Sequence, residues 1–366
     1  MEKTALSARN NSLVLQTETI RECPLCGKRD LKLWRKGRDL LLSVSSQRFL
    51  YVRCRNCDLL FLSNRPTPES IGLFYPENYH PYSEPIFPGD LRKRRVSLLE
   101  RFLETIETKM FQNFRRNLLD RVARRFPDLV IPAMQRFYRP PKKHGAVLLD
   151  FGCGSVWFLN IQRDTRWTTI GMDFKEELVE QVRQEGHRGI LVSEAGWREI
   201  EDESVDAARM NHVLEHLYEP RNVLSHLMAK LKPGGVIHIA VPNPHGISAR
   251  LFRSRWFSLE APRHLMIYSP VGLKSVLSAL GFVDVEVLHE RTPKDFSRSI
   301  GYVLRDLRLI EPDLIQGMGD ETLLNSWLAP LLWLAGGKGY GDRIHAFARK
   351  PGIAASAMPG NATDRK

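Results

Sequence analysis

The stretch LLDFGCGSVWFLN, residues 148–160, decides how the rest of the chain is read. Val147, Leu148 and Leu149 form a short apolar run that Asp150 closes. Gly152 and Gly154 then permit close backbone approach, and Trp157 to Ile161 resume with helical character. A strand that turns on glycines into a helix is expected to aim free backbone N–H groups at a ligand.

Outward from that turn, strands and helices alternate. Strands are expected at 146–150, 168–173, 189–192, 205–210 and 235–241, with helices near 155–164, 175–184 and 220–231. This rhythm specifies an α/β, doubly wound, mostly parallel sheet, in which ligands bind beyond the carboxyl ends of the strands. A dinucleotide turn needs a third glycine where Trp157 stands, so a nicotinamide or flavin cofactor is disfavoured. Asp173, closing the second strand in IGMD (170–173), is placed to accept hydrogen bonds from two ribose hydroxyls, which suits a nucleoside without a pyrophosphate.

The chain has 366 residues, 43% of them hydrophobic, enough for about two domains on the usual ~150-residue prior. No charged start followed by an apolar run suggests secretion, and no window approaches the ~18 apolar residues of a membrane span. The expectation is a cytoplasmic protein, with association to a membrane face admitted by its charge. Of a net charge of +12, residues 91–145 hold 15 Lys and Arg against 5 Asp and Glu. Such a block suits an anionic partner such as nucleic acid, a membrane face or a phosphorylated carrier, or else is a solvated helix face. Within it, Leu99, Leu103, Ile106, Met110, Phe114, Leu118 and Val122 recur at helical spacing, predicting an amphipathic helix over 96–126.

Four of the five cysteines form two pairs, Cys23-Pro-Leu-Cys26 and Cys54-Arg-Asn-Cys57. Two such turns can complete a tetrahedron of thiolates, so a structural zinc ribbon is expected over 15–65, with a redox pair or iron–sulfur site as the alternatives. A proline-rich segment carrying Phe74, Tyr75, Tyr79 and Tyr82 follows, where the aromatics either cover the mouth of the next domain or pack between domains.

Taken together, DFGCG (150–154), IGMD, NHVLEHL (211–217), LKPGG (231–235) and IHIAVPN (237–243) resemble the class I S-adenosylmethionine-dependent methyltransferases. RHLMIYSPVGLKSVLSALGFVDVEV (263–287) and RIHAFARKP (343–351) are similar to that family's later elements. CPLCG, CRNC and FYPENY look like a zinc ribbon fused ahead of such a domain. The resemblance implies a Rossmann-like methyltransferase domain over 146–350 with a helical insertion at 291–342, preceded by a linker region at 66–145 and followed by a disordered tail at 351–366. It implies S-adenosylmethionine as cofactor, with Asp150, Gly152 and Gly154 at its methionine end, Asp173 on the ribose, Glu194 near the adenine and Asn211 beside it. Val156 stands where the family commonly has a third glycine, and its branched side chain is expected to narrow the site.

An oxygen acceptor needs a base, and His264, His216 and His212 are the candidates, His264 first, with His245 further behind. Arg263 is expected to hold a carboxylate or phosphate of the acceptor. His212 and His216, four apart, invite a metal reading that the order H-V-L-E-H weakens. Cys153 has no evident activating partner and reads as a small residue that fits the turn.

In the insertion, Trp327, Leu328, Leu331, Leu332, Trp333 and Leu334 form an apolar cluster, read as a lid over a lipid-like acceptor, a membrane-interface contact or a packed helix pair. The expected activity is methyl transfer to a small molecule or glycoconjugate, a sugar or lipid-linked saccharide, at oxygen. The alternatives are an RNA methyltransferase gripping phosphates with the ribbon and basic segment, and a non-catalytic adaptor.

Overall fold

The computed structural model describes residues 15–76, 145–164, 167–290, 293–311, 315 and 339–352. The helix expected over 96–126, Tyr79 and Tyr82, the apolar cluster at 327–334 and the tail beyond 352 lie outside the described residues.

The N-terminal part folds as short strands between the two cysteine turns: β1 (Thr17–Thr19), β2 (Leu31–Gly37), β3 (Phe49–Cys54), β4 (Leu60–Leu62) and β5 (Asn64–Pro66). β1 pairs antiparallel with β5, and β2, β3 and β4 form an antiparallel meander. All three residues of β4 are buried, which is worth roughly 1.5–3 kcal/mol for each large apolar side chain.

From Val147 onward the sheet is built as the alternation predicts. β6 (Val147–Phe151), β7 (Thr168–Asp173), β8 (Arg188–Leu191), β9 (Val205–Asn211) and β10 (Leu231–Pro242) run parallel. Helices α1 (Trp157–Asp164), α2 (Glu176–Gln184), α3 (Glu194–Arg198) and α4 (Pro220–Lys230) follow the first four of these strands. After β10 come α5 (Ile247–Phe252), β11 (Met266–Ile267), α6 (Pro270–Ala279), β12 (Val283–Glu290), α7 (Pro293–Asp306) and β13 (Arg343–Arg349). α6 starts where the sequence says it should: Pro270 occupies its first turn, and Ser269 Oγ accepts from Gly272 N at 3.0 Å.

The strand order is β12-β13-β10-β9-β6-β7-β8, with β13 antiparallel to both neighbours. Chain direction across the sheet reverses between β6 and β9, so a crevice opens where Phe151 and Asn211 end their strands.

The cysteine module is joined to this sheet rather than tethered to it. β11 pairs antiparallel with β4, adding a fourth strand to the meander. Tyr51, fully buried on β3, donates its hydroxyl to the carbonyls of Leu259 and His264 at 3.0 and 2.7 Å. One apolar core runs from Phe49, Tyr51 and Phe61 through Met266 to Met210 and Ile237. α7, in the expected insertion, is tied down by Asp295, which is fully buried and accepts from Arg343 Nη2 and Ser258 Oγ, each at 2.9 Å. No helix among the described residues is long and apolar enough to cross a membrane.

Candidate functional site

The glycine turn works differently from the sequence expectation. Gly152 and Gly154 take φ of +69° and +61°, conformations in which a side chain is strained. The amides of Gly152 and Cys153 both donate to Met172 O, at 2.8 and 3.0 Å, and that of Gly154 donates to Asp173 Oδ2 at 2.9 Å. These three N–H groups are therefore consumed by β7 and not presented to a ligand. What the turn supplies is shape, a bare backbone beside the crevice. Asp173 braces it, its Oδ1 also accepting from Phe174 N at 2.7 Å and Lys175 N at 3.2 Å. Burial raises this carboxyl while the amides pull it back, and it still faces the cavity with lone pairs to spare.

Val156 does not narrow the site. Its side chain is buried against Cys153, Leu159 and Val182, in the seam between α1 and the sheet, and does not line the cavity. Cys153 is pushed well above the usual thiol range by burial and by Asp150 and Asp173, so it stays protonated.

A cavity of about 1380 Å³ lies over the carboxyl ends of the strands. Gly152, Gly154, Asp173 and Asn211 line it, as do His212, His216 and His264. Asp150 and Glu194 do not. Asp150 is fully buried and receives Arg209 Nη1 at 2.9 and 3.0 Å, and Glu194 is an exposed side chain 3.8 Å from His226 Nε2. Arg209 itself reaches the cavity wall, with its guanidinium 3.8 Å over the ring of Phe158. A lone arginine in the apolar strand VDAARMN was the available sequence signal for it.

The histidines gather around Glu215, which sequence reading passed over inside HVLEHL. Glu215 is fully buried, and His212 Nδ1 lies 3.1 Å from its Oε1. His212 adopts φ +56° at the end of β9, and its side chain remains 31% exposed toward the cavity. Glu215 stays ionised, held below the usual carboxylate range by these imidazoles against the opposing effect of burial. Burial and neighbouring His264 depress His216 to about 4. His216 Nδ1 is 2.9 Å from the hydroxyl of Tyr75, which brings the aromatic segment to the cavity wall.

His245 sits elsewhere, its Nε2 3.2 Å from Arg53 Nη2. Arg263 is not an acceptor clamp: it is wholly buried, donating to Asp39 and Glu260 at 2.9 Å each and to Phe74 O at 3.3 Å. The sequence placed the right charge in the right loop, but its partners come from 3 and 224 residues away. Besides Arg209 and Lys175, the cations that line the cavity are Lys294, Arg298, Arg305 and Arg343, carried by α7 and β13.

The four sulfurs of Cys23, Cys26, Cys54 and Cys57 lie within 4.8 Å of one another, the closest pairs at 3.4 and 3.5 Å. A tetrahedron of ~2.3 Å zinc–sulfur bonds has edges of about 3.8 Å, so the donor set fits such an ion.

Residues 111–287 match the family model of a methyltransferase domain. A probable S-adenosylmethionine-dependent methyltransferase of Mycolicibacterium smegmatis is 31% identical over 100 residues, 27% of this chain and 39% of that protein. An uncharacterised 37.1 kDa protein in a transposon of Streptomyces fradiae is 29% identical over 106 residues, 27% of this chain and 31% of that protein. The chain thus spans well under half the length of these curated relatives. An S-adenosylmethionine-dependent methyltransferase of Archaeoglobus fulgidus, known by crystal structure, is 22% identical and aligns over 67% of this chain and 99% of its own, with a TM-score of 0.38. The sheet order and glycine turn are those of a Rossmann-like fold, and residues 111–287, just under half of the chain, are similar to the methyltransferase-domain family.

Proposed function

We propose that this protein transfers the methyl group of S-adenosylmethionine to an oxygen of a small molecule or glycoconjugate, a sugar or lipid-linked saccharide. One observation carries the reading: a single cavity joins the Gly152–Gly154–Asp173 crevice to a carboxylate-oriented histidine. Its volume exceeds the ~300–1,000 Å³ of ordinary ligand pockets, leaving room for an acceptor beside the cofactor.

In this reading the bare turn at Gly152 and Gly154 receives the methionine end of the cofactor, and Arg209 supplies positive charge for its carboxylate. Asp173 accepts from the ribose, and Phe174, 53% exposed at the cavity, offers its ring to the purine. Asp150 acts indirectly, by holding Arg209. The sulfonium supplies an already activated methyl group, so the chain has to align the acceptor, exclude water and accept a proton. His212 is the base that the geometry favours over His264. Its Nδ1–H donates to Glu215, which leaves Nε2 as the acceptor toward the cavity, the arrangement of an oriented general base. Lys294, Arg298 and Arg305 suit an acceptor that carries negative charge. The four cysteines hold a structural zinc ion, which leaves no open position for chemistry.

The test is incubation of the purified chain with methyl-labelled cofactor and the lipid, saccharide and RNA fractions of a lysate lacking it. Label entering lipid or saccharide, and lost on His212→Ala, supports the reading. Label entering RNA alone moves the assignment to the alternative substrate, and no transfer to any fraction argues for the adaptor.

A further inference from the structure

Glu215, His216 and His264 each bring one potential ligand atom to a common point, all within 4.8 Å of one another, and the two histidines line the cavity. Their hydrogen bonding fixes what they offer. Nδ1 of His264 lies 2.8 Å from the carbonyl of Ser258, and Nδ1 of His216 lies 3.0 Å from the carbonyl of Arg263. A carbonyl can only accept, so each ring presents an Nδ1–H to it, His216 with the Tyr75 hydroxyl also 2.9 Å from that nitrogen, and Nε2 is the atom left to meet an ion. Anchoring of Nδ1 on a carbonyl is the usual second layer of a metal-bound imidazole.

Nε2 of His264 faces carboxylate oxygens. His264 Nε2 is 4.0 Å from Glu215 Oε1 and 3.6 Å from Glu260 Oε2, both beyond hydrogen-bond range. Glu215 is fully buried and His212 engages its Oε1, while its Oε2 has no hydrogen-bond partner among the described residues. A buried carboxylate oxygen without a donor is short of positive charge. The gaps suit ligand atoms sharing one centre through bonds of ~2.0–2.2 Å.

We propose that Glu215, His216 and His264 bind a divalent first-row transition ion, a second metal site distinct from the cysteines. Two imidazoles and one carboxylate suit zinc, iron(II), cobalt(II) or manganese(II), with the open coordination positions facing the cavity that His216 and His264 line. Its use in catalysis rests on the reading above. The ion draws electron density from an acceptor hydroxyl, whose proton passes to His212 Nε2. The new oxygen–carbon bond forms as the sulfur–carbon bond breaks, leaving neutral S-adenosylhomocysteine.

The test is titration of Co2+ into the full chain whose cysteine site is already filled with zinc. The wild type should take up one additional Co2+ with visible ligand-field bands and no thiolate charge-transfer band. His264→Gln and His216→Asn should each weaken that uptake at least tenfold, with S-adenosylmethionine binding retained as proof of folding. No additional Co2+ in the wild type, or uptake by both variants equal to that of the wild type, overturns the site. Methyl transfer without Co2+ uptake also overturns it while leaving the functional reading intact. Uptake without methyl transfer supports the site and counts against that reading.

Discussion

At Gly152 the backbone takes φ +69°, and an added Cβ would lie 2.5 Å from Val213 Cγ2. Gly152→Ala should therefore cost on the order of 2 kcal/mol in stability and weaken cofactor binding more than it weakens folding, checked by thermal melts and calorimetry on the same preparation. Asp342 makes a different prediction. Burial pushes its carboxyl up to about 7, Asp295 adds to the effect, and the Ser248 amide and hydroxyl oppose it. Unfolded, the group titrates near 3.8, so between that pH and about 7 the folded chain holds the extra proton. The stabilisation this gives is complete below the lower value and is lost as pH rises to the upper one. The stability of the wild type relative to Asp342→Asn should fall by on the order of a few kcal/mol across that window, read by urea unfolding at a series of pH values. A difference independent of pH would show that Asp342 is ionised throughout.

Among the elements, the contact that matters most is the one between β3 and the loop carrying His264. Tyr51→Phe removes the donor that Leu259 O and His264 O share, at a cost of about 1–2 kcal/mol. Turnover should fall while S-adenosylmethionine affinity stays close to the wild type, because the crevice around Asp173 is built from other strands. Equal losses in both would mean that Tyr51 supports the fold alone. The parallel strands were legible because each is a run of strand length bounded by turn residues, and β7 falls at the expected position. β11 was not, since two residues have no period, and its pairing with β4 is a contact across some 200 positions. The free N–H groups expected of the glycine turn were also misread, because the carbonyl of Met172 that accepts two of them lies on another strand.

For the molecule as a whole, the cavity draws its wall from the segment after β2, from Tyr75, from the crossing of β6 and β9, and from α7. Motif spacing located the cofactor end, since Gly152, Gly154 and Asp173 follow directly from strand ends. It could not locate the acceptor end, where Tyr75, His216 and Arg298 line one cavity through tertiary packing, nor could it show that Asp150 and Arg263 are consumed by buried ion pairs. The cysteine module shares the core of the sheet, so it positions the acceptor loop as well as folding itself. The central claim is that the crevice braced by Asp173 is a nucleoside site for S-adenosylmethionine. Calorimetric titration of S-adenosylmethionine into the folded wild type and Asp173→Ala tests it most directly. The account predicts one site per chain in the wild type and at least a tenfold loss in the variant, whereas a folded wild-type chain that binds none, or a variant that binds equally well, would contradict it.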